Sequence, residues 1–580
     1  MVDPKFSLRT LSFKVRHLAF SAILFLAAYC LLSSCAQMVA PTGGPADKTP
    51  PKAVKYSPDS ASLNFNRKQI RILFNEYIQL VDINKQLIIS PPLKYFPDIR
   101  VKGKALVINI RDTLAPQTTY AFNFGNSIAD LNERNALSNF QYIFSTGSFI
   151  DSVSLKGSVK NALTLIPEKD VLVMLYNTSD DSLPFRKLPN YFGKTKEDGS
   201  FRINNIRNGK YKVFALQDKN ANYLYDTRDE SIAFSDTLID LQNKESVDLF
   251  LFNEGPKKQF IKKAKSIESG HLQFVFNKPV VDPSFTLITK SPEKRYHQFI
   301  ELNTGSDSVN LWLPDYDKDS IRVIVASDNK VIDTLELAIP KRTDTDKKFK
   351  LTYKTNVLGS LDLNRDVVVK FNHYLDQPQN PVNDLIELFE DSIKSTAKDI
   401  VFLQEKSGLK IFKVTPGYDK NSNHSGSRPG QLLHEPWKEN TKYKILIQPG
   451  VIQDIFGLKN DSIKIEFKTP ELKTYGTLKL NWQLPSDLLG SVLQLLDDKD
   501  RVTREFTLKE KSGSVFMNYL IPQNYKLRLI CDKNGNEKFD SGDYLKHRQP
   551  EKVIYYPGTM TIRANWDLEQ EWKVGLKAGK

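Results

Sequence analysis

The sequence predicts an all-β chain of tandem β-sandwich domains behind a signal peptide, and three observations point to this class. With 580 residues the chain is too long for one hydrophobic core, so several domains are expected. Its 30 prolines, 34 phenylalanines and 23 tyrosines favour turns and strands. Short strand-like runs alternate with turn signals, and helical periodicity occurs only briefly, in residues 383–394.

The N-terminus predicts export and a lipid anchor. Basic residues precede an apolar run from Leu18 to Leu32, which has the length of a signal-peptide core and is slightly short for a spanning helix. The run ends in Leu-Ser-Ser-Cys, which resembles the lipobox of bacterial lipoproteins. The resemblance implies that residues 1–34 are removed and that Cys35 becomes the acylated N-terminus. An uncleaved membrane anchor is the alternative.

The residues after Cys35 predict where the anchored protein lies. Residues 35–47 are rich in proline and glycine and form a flexible tether. By resemblance to lipoprotein sorting, Ala36 in place of an aspartate favours the outer membrane over the inner membrane. No acidic cluster follows, and in Bacteroidetes lipoproteins such clusters accompany surface export, so the periplasmic face is favoured. The first predicted partner is therefore the membrane, reached through the lipid.

The net charge leaves the class of soluble partner open. The formal charge is +14, and it is +11 without the leader, which carries four Lys or Arg and one Asp. A basic surface can attract nucleic acid, lipopolysaccharide or acidic glycans. Because the leader predicts export, nucleic acid is not expected as a partner. An envelope protein of unknown identity or an acidic glycan is expected instead.

Two long segments and a shorter one share one plan, which predicts Ig-like modules. Residues 48–147 and 344–470 each contain an early strand that ends in Phe-Asn, a later Ile-x-Asp and a final strand with phenylalanine. Residues 256–343 contain the same Phe-Asn pair in a shorter setting. These segments resemble the bacterial Ig-like module named after the S-layer protein SbsA. Apolar residues alternate along the early strand, so the motif is interpreted as architectural, with Asn75 closing a turn.

A second module type occurs twice. Residues 199–229 align without gaps with residues 513–543, and 11 of the 31 positions are identical. The surrounding segments, 148–255 and 471–580, resemble the transthyretin-like or Cna B-type module of exported proteins. We refer to these segments as the first and second B-type modules. The predicted order is therefore Ig-like, B-type, short Ig-like, Ig-like and B-type.

Each B-type module carries a loop that predicts a calcium site. Acidic or amide residues occupy positions 1, 3, 5, 9 and 12 of an EF-hand-like loop, and position 7 supplies a carbonyl. The candidate ligands are Asp218, Asn220, Asn222, Leu224, Asp226 and Asp229 in the first loop and Asp532, Asn534, Asn536, Lys538, Asp540 and Asp543 in the second. The loops resemble those of dockerins and of the B repeats of staphylococcal Sdr proteins.

Two departures from the EF-hand pattern predict weak binding. Position 6 is Tyr223 or Glu537 rather than glycine, and position 12 is aspartate rather than glutamate. Affinity is therefore expected near ~10⁻⁴ to 10⁻³ M, with a stiffening role. The alternative is an Asx-rich turn in which Asp and Asn bond to their own backbone.

The sequence predicts no enzyme. The seven histidines form no His-x-x-x-His pair, and there is no nucleophile elbow or phosphate-binding glycine loop. The predicted function is a multidomain scaffold or interaction protein whose strung sandwiches project away from the membrane. The alternative is a glycan- or peptidoglycan-binding protein in which Trp312, Trp437 or Trp482 stacks on sugars. Exposure of these indoles would favour glycan binding, and burial would favour the scaffold.

Overall fold

The computed structural model describes residues 47–575 except for 139, 228, 244–245, 256–257, 289–295, 304, 341–348, 377–385, 395–399, 405–410 and 417–435. The predicted leader, Cys35 and most of the tether lie outside this range. The described residues form an all-β protein of 40 strands with one short α-helix, which confirms the predicted fold class. Three 3₁₀ turns occur at Leu183–Phe185, Leu472–Thr474 and Ser486–Leu488. None of the helices in this range is long and apolar enough to cross a membrane.

The first Ig-like module is a sandwich of antiparallel sheets. Its sheets have the strand orders β1-β2-β6-β5 and β4-β7-β9, with a small β3-β8 pair beside them. Alternate residues of β2 point inward, and Ile70, Ile72 and Phe74 are buried. The elements are β1 (Ala53–Ser57), β2 (Gln69–Phe74), β3 (Ile78–Leu80), α1 (Ile83–Gln86), β4 (Ile88–Ser90), β5 (Asp98–Lys102), β6 (Ala105–Asn109), β7 (Thr119–Asn123), β8 (Ile128–Asp130) and β9 (Gln141–Ser145).

The first B-type module pairs a three-stranded sheet with a five-stranded one. The strand orders are β13-β10-β17 and β12-β11-β14-β15, and β16 also pairs with β14. Strands β10 and β17 run parallel, while the other pairs are antiparallel. The strands are β10 (Val153–Asn161), β11 (Leu172–Tyr176), β12 (Tyr191–Lys194), β13 (Ser200–Ile206), β14 (Lys210–Leu216), β15 (Ile232–Phe234), β16 (Ile239–Asp240) and β17 (Ser246–Leu251).

The second B-type module repeats this topology strand for strand. Its orders are β36-β33-β40 and β35-β34-β37-β38, β39 pairs with β37, and β33 and β40 run parallel. The internal repeat in the sequence therefore corresponds to a repeated fold. The strands are β33 (Gly476–Gln483), β34 (Val492–Leu496), β35 (Val502–Thr507), β36 (Ser512–Leu520), β37 (Asn524–Ile530), β38 (Val553–Tyr555), β39 (Met560–Thr561) and β40 (Asp567–Lys573).

The two remaining modules are also two-sheet sandwiches. The short Ig-like module has the orders β18-β19-β22-β21 and β20-β23-β24, and the second Ig-like module has β25-β26-β30-β29 and β28-β27-β31-β32. The strands are β18 (Ile261–Glu268), β19 (His271–Phe276), β20 (Pro283–Ile288), β21 (Phe299–Leu302), β22 (Ser308–Trp312), β23 (Ser320–Ser327), β24 (Lys330–Ala338), β25 (Tyr353–Thr355), β26 (Val367–Phe371), β27 (Ile386–Glu390), β28 (Ile393–Lys394), β29 (Ile400–Gln404), β30 (Ile411–Pro416), β31 (Lys442–Ile447) and β32 (Ile463–Lys468).

The helical periodicity of residues 383–394 does not produce a helix in its described part. Residues 386–394 form the β27–β28 hairpin, because β27 pairs with β31 and places Ile386 and Leu388 in the core. Sheet pairing and burial outweigh the local pattern here.

The Phe-Asn pair has the same architectural role in all three Ig-like modules. The asparagine follows the phenylalanine at the end of its strand, and its side-chain oxygen accepts a backbone N–H from the chain that enters the first strand. The distances are 2.7 Å for Asn75, 2.7 Å for Asn372 and 2.9 Å for Asn277. The amide thus extends the sheet by one hydrogen bond and fixes the incoming chain.

Candidate functional site

The two Asx-rich loops follow equivalent central strands, β14 and β37. In the first loop, the Asp218 carboxylate accepts the backbone N–H groups of Asn222 and Tyr223 at 3.3 and 2.8 Å. The Asp226 carboxylate accepts the side-chain amides of Asn220 and Asn222 at 3.1 and 2.7 Å. Four of the predicted oxygen-bearing residues are therefore brought together by hydrogen bonds of the loop itself.

The second loop repeats this geometry. The Asp532 carboxylate accepts the backbone N–H of Glu537 at 2.7 Å. The Asp540 carboxylate accepts the side-chain amides of Asn534 and Asn536 at 2.6 and 2.9 Å. The common sequence pattern therefore encodes a common local fold.

Positions 6 and 7 show how the loops turn without glycine at position 6. Tyr223 and Glu537 occupy position 6 with φ angles of 64° and 60°, in the left-handed region that glycine adopts at least cost. The N–H of each is held by the first aspartate of its loop. Leu224 and Lys538, predicted to offer a carbonyl, donate their N–H groups to the second asparagine at 2.8 and 2.9 Å.

The structure does not bring the third predicted acid, the aspartate at position 12, into either loop. Asp229 is exposed, and the backbone of Asp543 pairs with that of Arg548. A buried glutamate closes each loop instead, Glu230 with 0% and Glu551 with 8% of its surface exposed. Each glutamate accepts the N–H groups of loop positions 2 and 9, at 3.1 and 3.3 Å in the first loop and at 3.0 Å twice in the second.

Sequence comparison missed this equivalence because of an insertion. In the first loop Glu230 directly follows Asp229, whereas in the second loop residues 544–550 separate Asp543 from Glu551. A gapless alignment therefore ends at Asp543. The equivalence could have been found from the Asp-Glu pair of the first copy, by searching the second copy for a glutamate that follows an insertion.

The donor atoms of the loops suit a hard cation in type, because all of them are oxygens. Within the described residues, no three His, Cys, Asp or Glu side chains are grouped so that they could hold a metal ion. The carboxylates of the loops accept N–H groups of their own chain, which is the Asx-rich turn expected as the alternative. Calcium binding stays a prediction.

Residues 544–549 of the insertion belong to a docking arm, residues 541–549, that joins the two B-type modules. Its Tyr544 side chain is fully buried, with 0% exposure, in a core cluster whose other buried members belong to the first B-type module. The ring lies 5.4 Å from that of Phe214, 5.0 Å from that of Phe234 and 5.9 Å from that of Phe185. The tyrosine therefore completes the core of a module that ends about 290 residues earlier in the chain.

Hydrogen bonds fix the arm on both sides of Tyr544. The Tyr544 hydroxyl donates to the Asp181 carbonyl at 2.6 Å, and the Tyr544 N–H donates to the Glu254 carboxylate. Farther along the arm, the Gln549 amide donates to the Asp236 carboxylate at 2.6 Å. Burial of the ring raises the pKa of Tyr544, so the hydroxyl stays protonated and keeps its donor role.

Both Asx-rich loops contribute to this joint. Tyr225 of the first loop donates its hydroxyl to Glu254 at 2.9 Å, and Glu254 in turn holds the arm. Phe539 of the second loop packs against the same cluster. At Gly542 a side chain would collide with Phe252, since an added Cβ would lie 2.4 Å from the ring. The loops therefore serve to build the contact between the two modules.

A second joint connects the short and the second Ig-like modules through a buried histidine. His373 has 0% exposure, and its Nδ1 lies 2.6 Å from the Asp454 carboxylate of its own module. Its Nε2 lies 3.3 Å from Glu268 of the short module, an ion-pair contact without aligned hydrogen-bond geometry. Glu268 also lies 3.5 Å from Nδ1 of His271, whose ring stacks on Trp312 at 3.6 Å.

Each ionisable group at this joint stabilises the charged form of its neighbour. Burial alone would lower the pKa of His373, but Asp454 and Glu268 outweigh burial and raise it above its ordinary value. Burial would raise the pKa of Glu268, but His271 and His373 outweigh burial and lower it to about 2. The two carboxylates favour the protonated form of the His373 imidazole, which in that form links the two modules electrostatically.

The two remaining described histidines lie beside carboxylates, and two of the three tryptophans predicted to stack on sugars are buried. His297 lies 3.0 Å from Asp315 and His547 lies 3.3 Å from Asp181, each in an ion-pair contact. Trp312 and Trp437 are buried at 0% and 1% exposure, and Trp482 is half-buried. Trp312 and Trp437 are therefore not accessible for stacking on sugars, and Trp482 is the one of the three predicted indoles that stays partly accessible.

Comparison with known proteins identifies one module. Residues 47–146 match the family described as the bacterial Ig-like domain. The match spans the first Ig-like module and about a sixth of the chain, so the resemblance predicted for this module is supported. No curated protein matches the chain.

Several solved structures resemble the chain at low identity. The major pilin subunit BcpA of Bacillus cereus is 10% identical, with 73% of this chain and 99% of the pilin covered and a TM-score of 0.14. The S-layer protein SbsC is 12% identical, with 88% and 66% covered and a TM-score of 0.14. The Bacillus anthracis TIE protein is 9% identical, with 92% and 75% covered and a TM-score of 0.14. Resemblance at this level carries no inference about function.

Proposed function

We propose that the chain is a non-enzymatic scaffold protein of the bacterial cell envelope whose modules are held in a fixed arrangement. The observation that carries the proposal is the full burial of Tyr544 of the last module in the core of the first B-type module. A string of independent sandwiches would leave this side chain exposed. The two B-type modules are therefore packed against each other rather than independent units along a string.

Contacts between other modules support a fixed arrangement. His373 and Glu268 join the short and second Ig-like modules. Tyr475 donates its hydroxyl to Asp362 at 2.9 Å, next to the boundary of the second Ig-like and second B-type modules. Ser90 accepts the N–H of Phe192 at 3.3 Å across the boundary of the first two modules.

The scaffold proposal is tested in crosslinked envelopes. Envelope proteins that crosslink to the wild-type chain are identified and compared with those captured by Tyr544→Ala, in which the two B-type modules separate. Loss of captured proteins from an equally anchored variant supports a scaffold that depends on module arrangement. Equal capture by both proteins contradicts it.

Lipid anchoring to the periplasmic face of the outer membrane is the second part of the proposal, and it is supported by the lipobox-like residues 32–35. Cys35→Ala is expected to block processing or to move the protein from the membrane to the soluble fraction, because the acyl chains have no attachment site. Fatty-acid labelling and fractionation measure the effect, with Cys30→Ala as the control. Labelling that persists in Cys35→Ala would remove the anchor assignment.

Calcium binding by the twin loops is the third part, and it is supported by the matched oxygen-bearing residues of both copies. About 10 mM calcium is expected to stabilise the folded chain by about 1.4 kcal/mol per site if Kd is near 10⁻³ M. The measurement is the melting temperature with calcium and with magnesium, for the wild type and for Asp218→Ala and Asp532→Ala. A melting temperature that calcium leaves unchanged in the wild type would rule the sites out.

A further inference from the structure

A cleft with a mixed polar and apolar lining lies where the first Ig-like module meets the first B-type module. Strand β4 approaches β12, β7 approaches β13, and Lys194 donates to the carbonyl of Lys85 across the boundary at 3.3 Å. The space between the modules has a volume of about 380 Å³. This volume lies within the ~300–1,000 Å³ that small-molecule sites occupy, and such sites occur preferentially at domain interfaces.

The charge of the cleft has one sign. Lys194, Lys196 and Arg202 line it, and no aspartate or glutamate is among its lining residues. Within the described residues, none of these three cations forms an ion pair. The Arg202 guanidinium is instead oriented by the Asn204 side chain, to which Nε donates at 2.9 Å. Lys196 is close enough to Asp198, outside the cleft, to help lower the pKa of that carboxyl. Inside the cleft no acidic side chain balances the three cations, which repel one another, and an anion between them would remove that cost.

Neutral hydrogen-bonding groups face the same space from both modules. Gln86, Asn123 and Gln141 come from the Ig-like module, and Asn204 and Asn205 come from the B-type module. Each side-chain amide offers both a donor and an acceptor, as does a sugar hydroxyl. The cleft therefore combines fixed positive charge with groups suited to hydroxyl recognition.

A β-bulge determines the position of Asn205 in the lining of the cleft. The register of β10 and β13 shifts so that three steps along β13, from Ile203 to Ile206, oppose two steps along β10. Asn205 lies in this bulge with a φ of 59°, and its amide donates to the Asp151 carbonyl at 3.0 Å. Bulges redirect side chains at sheet edges and beside binding sites.

We propose that this cleft binds an anionic saccharide. A carboxylate or phosphate group of the sugar pairs with Arg202 and Lys196, and the hydroxyls bond to the amides of Asn123, Gln141 and Asn204. The proposal does not depend on the scaffold function or on the tryptophans considered in the sequence.

Titration calorimetry on the leaderless full chain tests the proposal, with oligogalacturonate as the acidic probe and maltotetraose as the neutral control. We expect oligogalacturonate to bind with an affinity that falls as salt is raised, and maltotetraose to bind far more weakly. Arg202→Ala is expected to weaken oligogalacturonate binding by about tenfold or more, because a charge-assisted contact to the anion is lost. Lys210→Ala, an exposed cation of the same module outside the cleft, is the matched control.

The outcomes separate the site from general charge effects. Equal weakening by Arg202→Ala and Lys210→Ala would assign the binding to net charge and overturn the proposal. Binding of inorganic phosphate or of anionic lipid vesicles without binding of oligogalacturonate would overturn the saccharide assignment. An unchanged melting temperature in Arg202→Ala establishes that lost binding is not lost folding.

Discussion

Tyr544→Ala is expected to release the second B-type module from the first. The substitution removes a fully buried aromatic ring and its hydrogen bond to Asp181. Loss of a buried aromatic side chain costs about 3–5 kcal/mol, which is large for one contact between modules. Because the ring completes the core of the first B-type module, that module is also expected to melt at a lower temperature.

The separation is measured as a distance distribution between spin labels at Lys169→Cys and Lys509→Cys, one on each B-type module. A narrow distribution is expected in the parent and a broad one in Tyr544→Ala. The buried Cys531 is 6% exposed and burial raises its pKa, so it does not compete for the label. Leu545→Ala, at a neighbouring side chain that is 56% exposed, is the control that keeps the narrow distribution. A narrow distribution in Tyr544→Ala would contradict the joint.

His373→Ala is expected to weaken the joint between the short and second Ig-like modules and to flatten its dependence on pH. Removing one partner of a buried charge network costs about 3–5 kcal/mol, because Asp454 is left buried without its partner. In the wild type the pKa of His373 is raised. The protonated form therefore stabilises the joint fully below the unfolded pKa of about 6.5, and this stability is lost as the pH rises through the folded pKa.

Protonation of Glu268 is expected to destabilise the same joint at acidic pH. Its pKa is lowered to about 2, so its contribution is present above the unfolded value of about 4.5 and is lost as the pH falls through about 2. Unfolding free energy from denaturant titration between pH 5 and pH 9 measures the alkaline loss. His297→Ala is the control, since His297 is exposed and, among the described residues, forms an ion pair with Asp315 alone. An equal decline with pH in wild type and His373→Ala would refute the role of His373.

The local structures could be predicted from the sequence, whereas the joints could not. The repeats indicated equivalent modules because residues such as Asn75 and Asn372 act within their own sheet. Four acids or amides of each Asx-rich loop were found because their partners lie within six positions in the sequence. Tyr544 gave no such signal, since its partners lie in another module and its neighbours in sequence are polar or exposed.

His373 shows the same limit. At the matching position of the first Ig-like module, residue 76, the chain has glutamate, so the repeat itself gives the histidine no role. Its second partner, Glu268, belongs to a different module, and their contact follows from how whole modules pack. The strands in residues 386–394 could not be predicted from their local sequence for a related reason. Their structure is determined by the pairing of β27 with β31, which lies in a later part of the sequence.

The position of the docking arm near the end of the chain determines the order in which the protein can be completed. The aromatic cluster that receives Tyr544 is complete once the first B-type module, residues 148–255, has been synthesised, but the tyrosine follows about 290 residues later. Until then the aromatic rings around Phe214 and Phe234 face water and can engage wrong partners. Correct folding therefore depends on keeping this apolar surface free of other partners until Tyr544 arrives. A protein truncated before residue 541 would keep the surface exposed permanently and able to bind wrong partners.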